Sequence, residues 1–337
     1  MATLRRVVLR HVSYIAAIGL AGCVTMANDF TISPPGSHRG ALPAATDAQR
    51  QLAERLRKHV TTLGGEIGDR NIWNPKGFSA TVEFITATLR GFGYAVTEQP
   101  YDARGHRVLN LQAEIKGTTT PGEIVVIGAH YDSVKGQPAA NDNGSGVAAV
   151  LEIAREFAAT KPGRTVRFVF FPNEEPPFFQ TEVMGSLVYA RACRARGENM
   201  VAMVCLETIG FYSDEKGSQK YPPPFDQFFP AEGNFIAFVG NAATKDLMLD
   251  CLATFRAAVR FPSEGVAASD RVTGVGFSDH WSFWQVGYAA IMVTDTAMFR
   301  YPHYHTAADT PDKLDYDRTS RVVEGVTRVC QKLCRLP

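Results

Sequence analysis

The sequence predicts one α/β domain, a central mixed, mostly parallel sheet with helices on both faces. Three observations carry this reading. Strand-like apolar runs alternate with amphipathic helical stretches from about residue 45 onward, the pattern of helices laid on a sheet. No compositional break and no internal repeat divides that series. The 337 residues, 45% hydrophobic and 20% charged, supply a core large enough for one such domain.

The first segment stands outside the fold. "MATLRRVVLRHVSYIAAIGLAGC" has a basic start, a short apolar run and a small-residue exit, the layout of a secretory signal over residues 1–22. Leu20-Ala21-Gly22-Cys23 resembles the lipobox of bacterial lipoproteins, in which the cysteine becomes the lipidated N-terminus; an ordinary signal peptide with a chance cysteine is the plainer reading. Either predicts export, and the lipobox predicts an anchor on the periplasmic side of the bacterial cell envelope. Residues 23–44, rich in Pro, Gly, Ser and Ala, are expected to be a flexible tether, and 45–337 the folded domain.

Within the domain, Leu52, Leu56 and Leu63 line one face of a helix starting at Thr46. Phe78, Val82, Ile85 and Leu89 mark a second, closed by Gly91 and Gly93. "VLNLQAEIKG" and "EIVVIGAHYDS" read as strands. "SGVAAVLEIAREFAAT" is a helix with Val147, Val150, Leu151, Ala154 and Phe157 inward. The buried strand around Phe168, a helix over 183–197 and the strand "MVAMVCLETIGFY" follow. Residues 213–233 form a long Pro-rich loop, a kind often functional. A helix over 244–258, the strand "YAAIMVTD" and a helix from about 317 complete the series.

Charge excludes one class of partner. Without the three arginines of the leader, 32 basic residues face 34 acidic ones, and no basic patch marks a nucleic-acid surface. The five cysteines beyond Cys23 form no CxxC pair, so a cysteine zinc site is not expected and buried thiols are.

Chemistry collects at the strand ends, where such sheets build their sites. One strand ends at His130 and Asp132, the next at Glu174 and Glu175, a third at Glu207. Asp142 precedes a helix, and Tyr304 and His305 follow the last strand. Singly, each has an ordinary explanation; Asp142, for one, suits a helix cap. Together they suit a divalent metal, zinc before manganese or cobalt, with a shared carboxylate allowing two ions. The adjacent glutamates, costly side by side at the end of a buried strand, then divide the work: one binds metal and its neighbour takes a proton from the activated water.

"GAHYDSVKGQPAANDNGSG", "FFPNEEPPFFQTEVMGS", "LETIGFY", "FSDHWSFW" and "YHTAADT" resemble, in order, the two-zinc aminopeptidases of the bacterial leucine aminopeptidase type. Those share a zinc exopeptidase (phosphorylase/hydrolase-like) fold with glutaminyl cyclases and glutamate carboxypeptidases. The resemblance implies a first zinc on His130, a bridging Asp142, and a second zinc on Glu175 and His305. It implies Glu174 as general base, Tyr304 as oxyanion donor and Asp132 as the orienting partner of His130. Asp279 and His280 read as pocket residues. Glu207 stands where the family usually has Asp, and its extra methylene moves the ligand oxygen; Pro176-Pro177 also departs from the pattern. The implied activity is removal of residues from peptides with a free N-terminus by a monomer. Phe178, Phe179, Phe225, Phe228 and Phe229 suit an apolar specificity pocket and suit the core equally well. A single-zinc glutaminyl cyclase is the alternative.

Overall fold

A computed structural model describes residues 30–336; the signal segment and Cys23 lie outside the described residues. Nine strands form one sheet: β1 (Phe30–Ile32), β2 (Val96–Ala103), β3 (His106–Ile115), β4 (Thr120–His130), β5 (Arg164–Phe171), β6 (Asn199–Glu207), β7 (Ile236–Gly240), β8 (Ser263–Ala268) and β9 (Ala290–Thr294). Their order is β1-β8-β7-β9-β6-β4-β5-β3-β2. The central strands β5, β4, β6 and β9 run parallel, and antiparallel pairs flank them on both sides.

The helices are α1 (Asp47–Val60), α2 (Pro75–Gly91), α3 (Gly144–Phe157), α4 (Gly185–Ala195), α5 (Lys245–Ala258), α6 (His280–Gln285) and α7 (Tyr316–Leu333). Thr46 and Gln49 close a capping box at the start of α1, and Pro75 opens α2 behind the Asn74 cap. Strand alternation sends Val125, Ile127 and Ala129 of β4 to one core with α1, α2, α3, α5 and α7. Ile124 and Val126 go to a second core with α4 and α6. The central strands are thus buried on both faces, which is why their sequences are continuous apolar runs.

The expected tether needs a correction. Phe30–Ile32 is no free spacer: it pairs antiparallel with β8, and Ser33 continues the contact with hydrogen bonds to Gly265. Edge strand β8 would otherwise expose unpaired backbone groups, and the N-terminal segment satisfies them. The polar edge strand β2 and the short β7, β8 and α6 are elements that the apolar patterning of the sequence does not mark. The five described cysteines are all buried free thiols.

Candidate metal centre

Strand order, not sequence distance, brings the donors together. In the β4/β6 register Gly128 faces Cys205, which sets His130 against Glu207 two residues on. His130 Nε2 lies 3.2 Å from Glu207 Oε2 and 3.3 Å from Asp142 Oδ1. The other oxygen of Asp142 lies 3.0 Å from His305 Nε2, which lies 3.1 Å from Glu175 Oε2. Two donor sets result, His130–Asp142–Glu207 and Asp142–Glu175–His305, with Asp142 in both. The longer side chain of Glu207 thus reaches the first set.

These residues fit a metal. His130 Nε2, His305 Nε2 and Glu175 Oε1 are buried without a hydrogen-bond partner, and orphaned buried polar atoms are rare unless something else satisfies them. Electrostatics agrees. Burial, then the charge of Asp142, pushes Glu175 up to about 8. Burial disfavours charge on His305, yet Asp142 and Glu175 outweigh it and raise it to about 10. The cluster draws in protons for want of other positive charge.

Glu174 belongs to neither set. Its Oε2 stands 3.8 Å from His130 Nε2, and burial drives its pKa well above the ordinary carboxylate value. Asp132 makes the adjacent glutamates possible: its two oxygens accept the backbone N–H of Glu174 and of Glu175, each at 3.1 Å. Its Oδ1 also sits 3.5 Å from His130 Nδ1. Asn173 before them adopts φ 61°, and Thr208 after Glu207 and His305 itself are left-handed too. For Thr208 and His305 such backbone costs about 1–3 kcal/mol each and persists only where surrounding structure enforces it.

Asp142 is not the helix cap. Asn143 caps α3 by accepting the Gly146 N–H, which leaves the Asp142 carboxylate free. Asp309, not singled out in the sequence although it lies in "HTAADT", accepts the N–H groups of Asn141 and Asp142 and the hydroxyl of Tyr301. Arg70 is a second such residue. Fully buried, it donates to the carbonyls of Leu63, Gly68, Tyr131, Pro138 and Ala139, lacing the loop after β4 to the chain before α2. Only the tertiary fold reveals such a backbone-binding arginine, since its partners carry no side-chain signature.

Tyr304 stacks on His305 with ring centroids 3.8 Å apart. Burial and the nearby carboxylates raise its pKa far above the usual phenol value, so it keeps its proton as a donor. Tyr304 and Glu207 border a cavity of about 100 Å³ lined by Phe225, Phe229, Val239, Val266, Val275 and Met292. Of the five phenylalanines expected there, Phe225 and Phe229 line it. Phe178 is instead buried against Trp73, and Phe228 points to solvent. His280 is buried, donates its Nε2–H to the Val275 carbonyl, and is pushed down by burial to about 4. Neither it nor Asp279 joins a donor set.

Residues 110–330 match Peptidase family M28. The chain is 34% identical over 282 residues to the protein YfbL of Escherichia coli (strain K12), covering 81% of this chain and 86% of that one. It is 27% identical over 215 residues to aminopeptidase YwaD of Bacillus subtilis (strain 168), covering 61% of this chain and 40% of YwaD. Two solved structures share the fold. BSAP, a zinc aminopeptidase from Bacillus subtilis, superposes with TM-score 0.68 at 15% identity, covering 88% of this chain and 96% of its own. The Fimbriiglobus ruber glutaminyl cyclase superposes with TM-score 0.64 at 22% identity, covering 88% and 98%.

Proposed function

The chain belongs to peptidase family M28, and from that membership we propose that it is a zinc aminopeptidase holding two ions, on His130–Asp142–Glu207 and on Asp142–Glu175–His305. The observation that carries the reading is two complete donor sets sharing Asp142, with a fourth carboxylate, Glu174, 3.8 Å from His130 Nε2 and part of neither. Zinc bound there supplies a Lewis acid for the scissile carbonyl and acidifies a water molecule.

The protein's own groups do the rest. Glu174 accepts the proton of the attacking water and delivers it to the leaving amine. Tyr304 donates its O–H to the oxyanion of the tetrahedral intermediate. Asp132 holds the backbone that aims both glutamates. The apolar cavity beside Glu207 and Tyr304 takes the side chain of the N-terminal residue. Residues 1–22 and Cys23 support export and lipid anchoring on the periplasmic side of the cell envelope, where the monomer meets peptides with free N-termini.

The test is mass spectrometry of zinc-loaded protein with peptides bearing free or acetylated N-termini. Stepwise loss of residues from free N-termini only, stopped by chelator, is expected. Peptides left at full length would refute the hydrolase, and ammonia loss from a Gln-initiated peptide would establish the cyclase instead. The cavity predicts more. Val266→Phe fills it, so kcat/KM for Leu- or Phe-initiated peptides is expected to fall about 10–200-fold relative to Ala-initiated ones. An unchanged ratio would place the specificity pocket elsewhere.

A further inference from the structure

The N-terminal segment reaches the sheet at a particular place. β1 pairs with β8 through Phe30↔Ala268, Thr31↔Ala267 and Ile32↔Val266. Ser37 accepts the Ser263 N–H, and Arg256 grips Pro34 O at 2.8 Å. Phe30 packs edge-on against Phe225 and Phe228, with centroids 5.2 and 5.5 Å away. Phe225 and Val266 are walls of the apolar cavity. The chain therefore enters the domain beside the rim of that cavity.

The rim is unusually apolar. Among the described residues, the large hydrophobic side chains left exposed are Trp73 at 42%, Phe228 at 50%, Phe277 at 37% and Met298 at 39%. Phe277 and Met298 border the cavity, and Phe228 adjoins its wall residue Phe229 and touches Phe30. Three of four thus gather on one face instead of scattering singly, which is the arrangement that needs an explanation.

We propose that this face, Phe228, Phe277 and Met298, is a lipid-contacting surface seated on the bilayer by the anchor at Cys23. The inference rests on the lipoprotein reading of Cys23 and not on the peptidase reading. Seven chain steps lead from Cys23 to Phe30, so the anchored residue lies within about 25 Å of Phe30 even with the chain fully extended. A domain of this size is about 50 Å across. The opposite sheet edge, β2, stands eight strand spacings away, about 38 Å. With 22 free residues the domain would tumble; pinned at Phe30, it is held with the β1 edge and the cavity rim toward the headgroups. Aromatic and methionine side chains suit that boundary, where partial apolar burial is favourable. Peptides at the membrane surface then meet the cavity first.

The test uses full-length lipidated protein in phosphatidylethanolamine/phosphatidylglycerol vesicles. An environment-sensitive fluorophore is attached in separate variants at Phe228→Cys, Met298→Cys and, as control, Lys76→Cys on α2, which packs at the far edge of the sheet. The described native cysteines are buried and do not compete for label. With brominated acyl chains in the vesicles, quenching at positions 228 and 298 is expected to exceed that at 76 at least two-fold. Equal quenching at the three positions, or recovery of the chain with Cys23 unlipidated, would overturn the proposal. Peptide hydrolysis enters neither readout, so the two readings fail separately.

Discussion

Glu174→Gln is expected to lower kcat about 10²–10⁴-fold, the range lost when a positioned acid–base group is removed, with zinc content unchanged. The second half of the expectation gives the first its meaning. Glu174 stands 3.8 Å from His130 Nε2 yet lies in neither donor set, so the amide should leave the metals in place while losing the ability to take and return a proton. Asp132 bonds to the backbone N–H of residue 174, not to its side chain, so the chain path through Glu175 should also survive. Activity and zinc per chain, measured on the same sample by peptide cleavage and elemental analysis, separate the roles. A variant that loses a zinc ion would make Glu174 a ligand; one within tenfold of the parent would move the proton transfer to another residue.

Asp142→Ala should act differently, removing metal and activity together. Both of its oxygens are engaged, Oδ1 toward His130 and Oδ2 toward His305. Burial opposes its charge, but the facing histidines prevail and hold its pKa below the usual carboxylate range, so it is ionised and ready to ligate near neutral pH. Losing even an outer partner of a ligand costs a metal site 10–100-fold, and a shared ligand should cost both sites at least about 100-fold. Zinc is expected to fall from two ions per chain to one or none after dialysis, with cleavage lost in parallel. Two ions retained in the variant would show that Asp142 does not bridge. One ion in the parent protein would leave the first set unused and favour the single-zinc alternative.

Much of this centre is legible in the amino-acid sequence. His130, Glu174, Glu175 and Glu207 follow apolar runs that end abruptly, and that pattern is local, written in consecutive residues. The central strands and the long helices are legible for the same reason, since Leu52 and Leu56, then Phe78, Val82, Ile85 and Leu89, then Val150, Ala154 and Phe157 recur at helical spacing. β2 is not, because an edge strand with Pro100 and charged neighbours has no apolar run to betray it. The short strands β7 and β8 and the helix α6 lie below the length at which periodicity can be told from chance.

The sequence by itself determined which side chains stand at the strand ends, and hence the donor types and the metal class. Only the tertiary structure decided which of them share a space. Asp142 faces both histidines because β4 lies between β5 and β6 and because Asn143, not Asp142, takes the cap of α3. Asp132, Asp309 and Arg70 hold that arrangement through backbone N–H and carbonyl groups, which all residues but proline possess in full and no sequence pattern marks. The same holds for Phe30, whose place at the cavity rim follows from a strand pairing more than 230 residues away in sequence. Local pattern sets what an element is, and non-local pairing, sealed by backbone hydrogen bonds, sets what it meets.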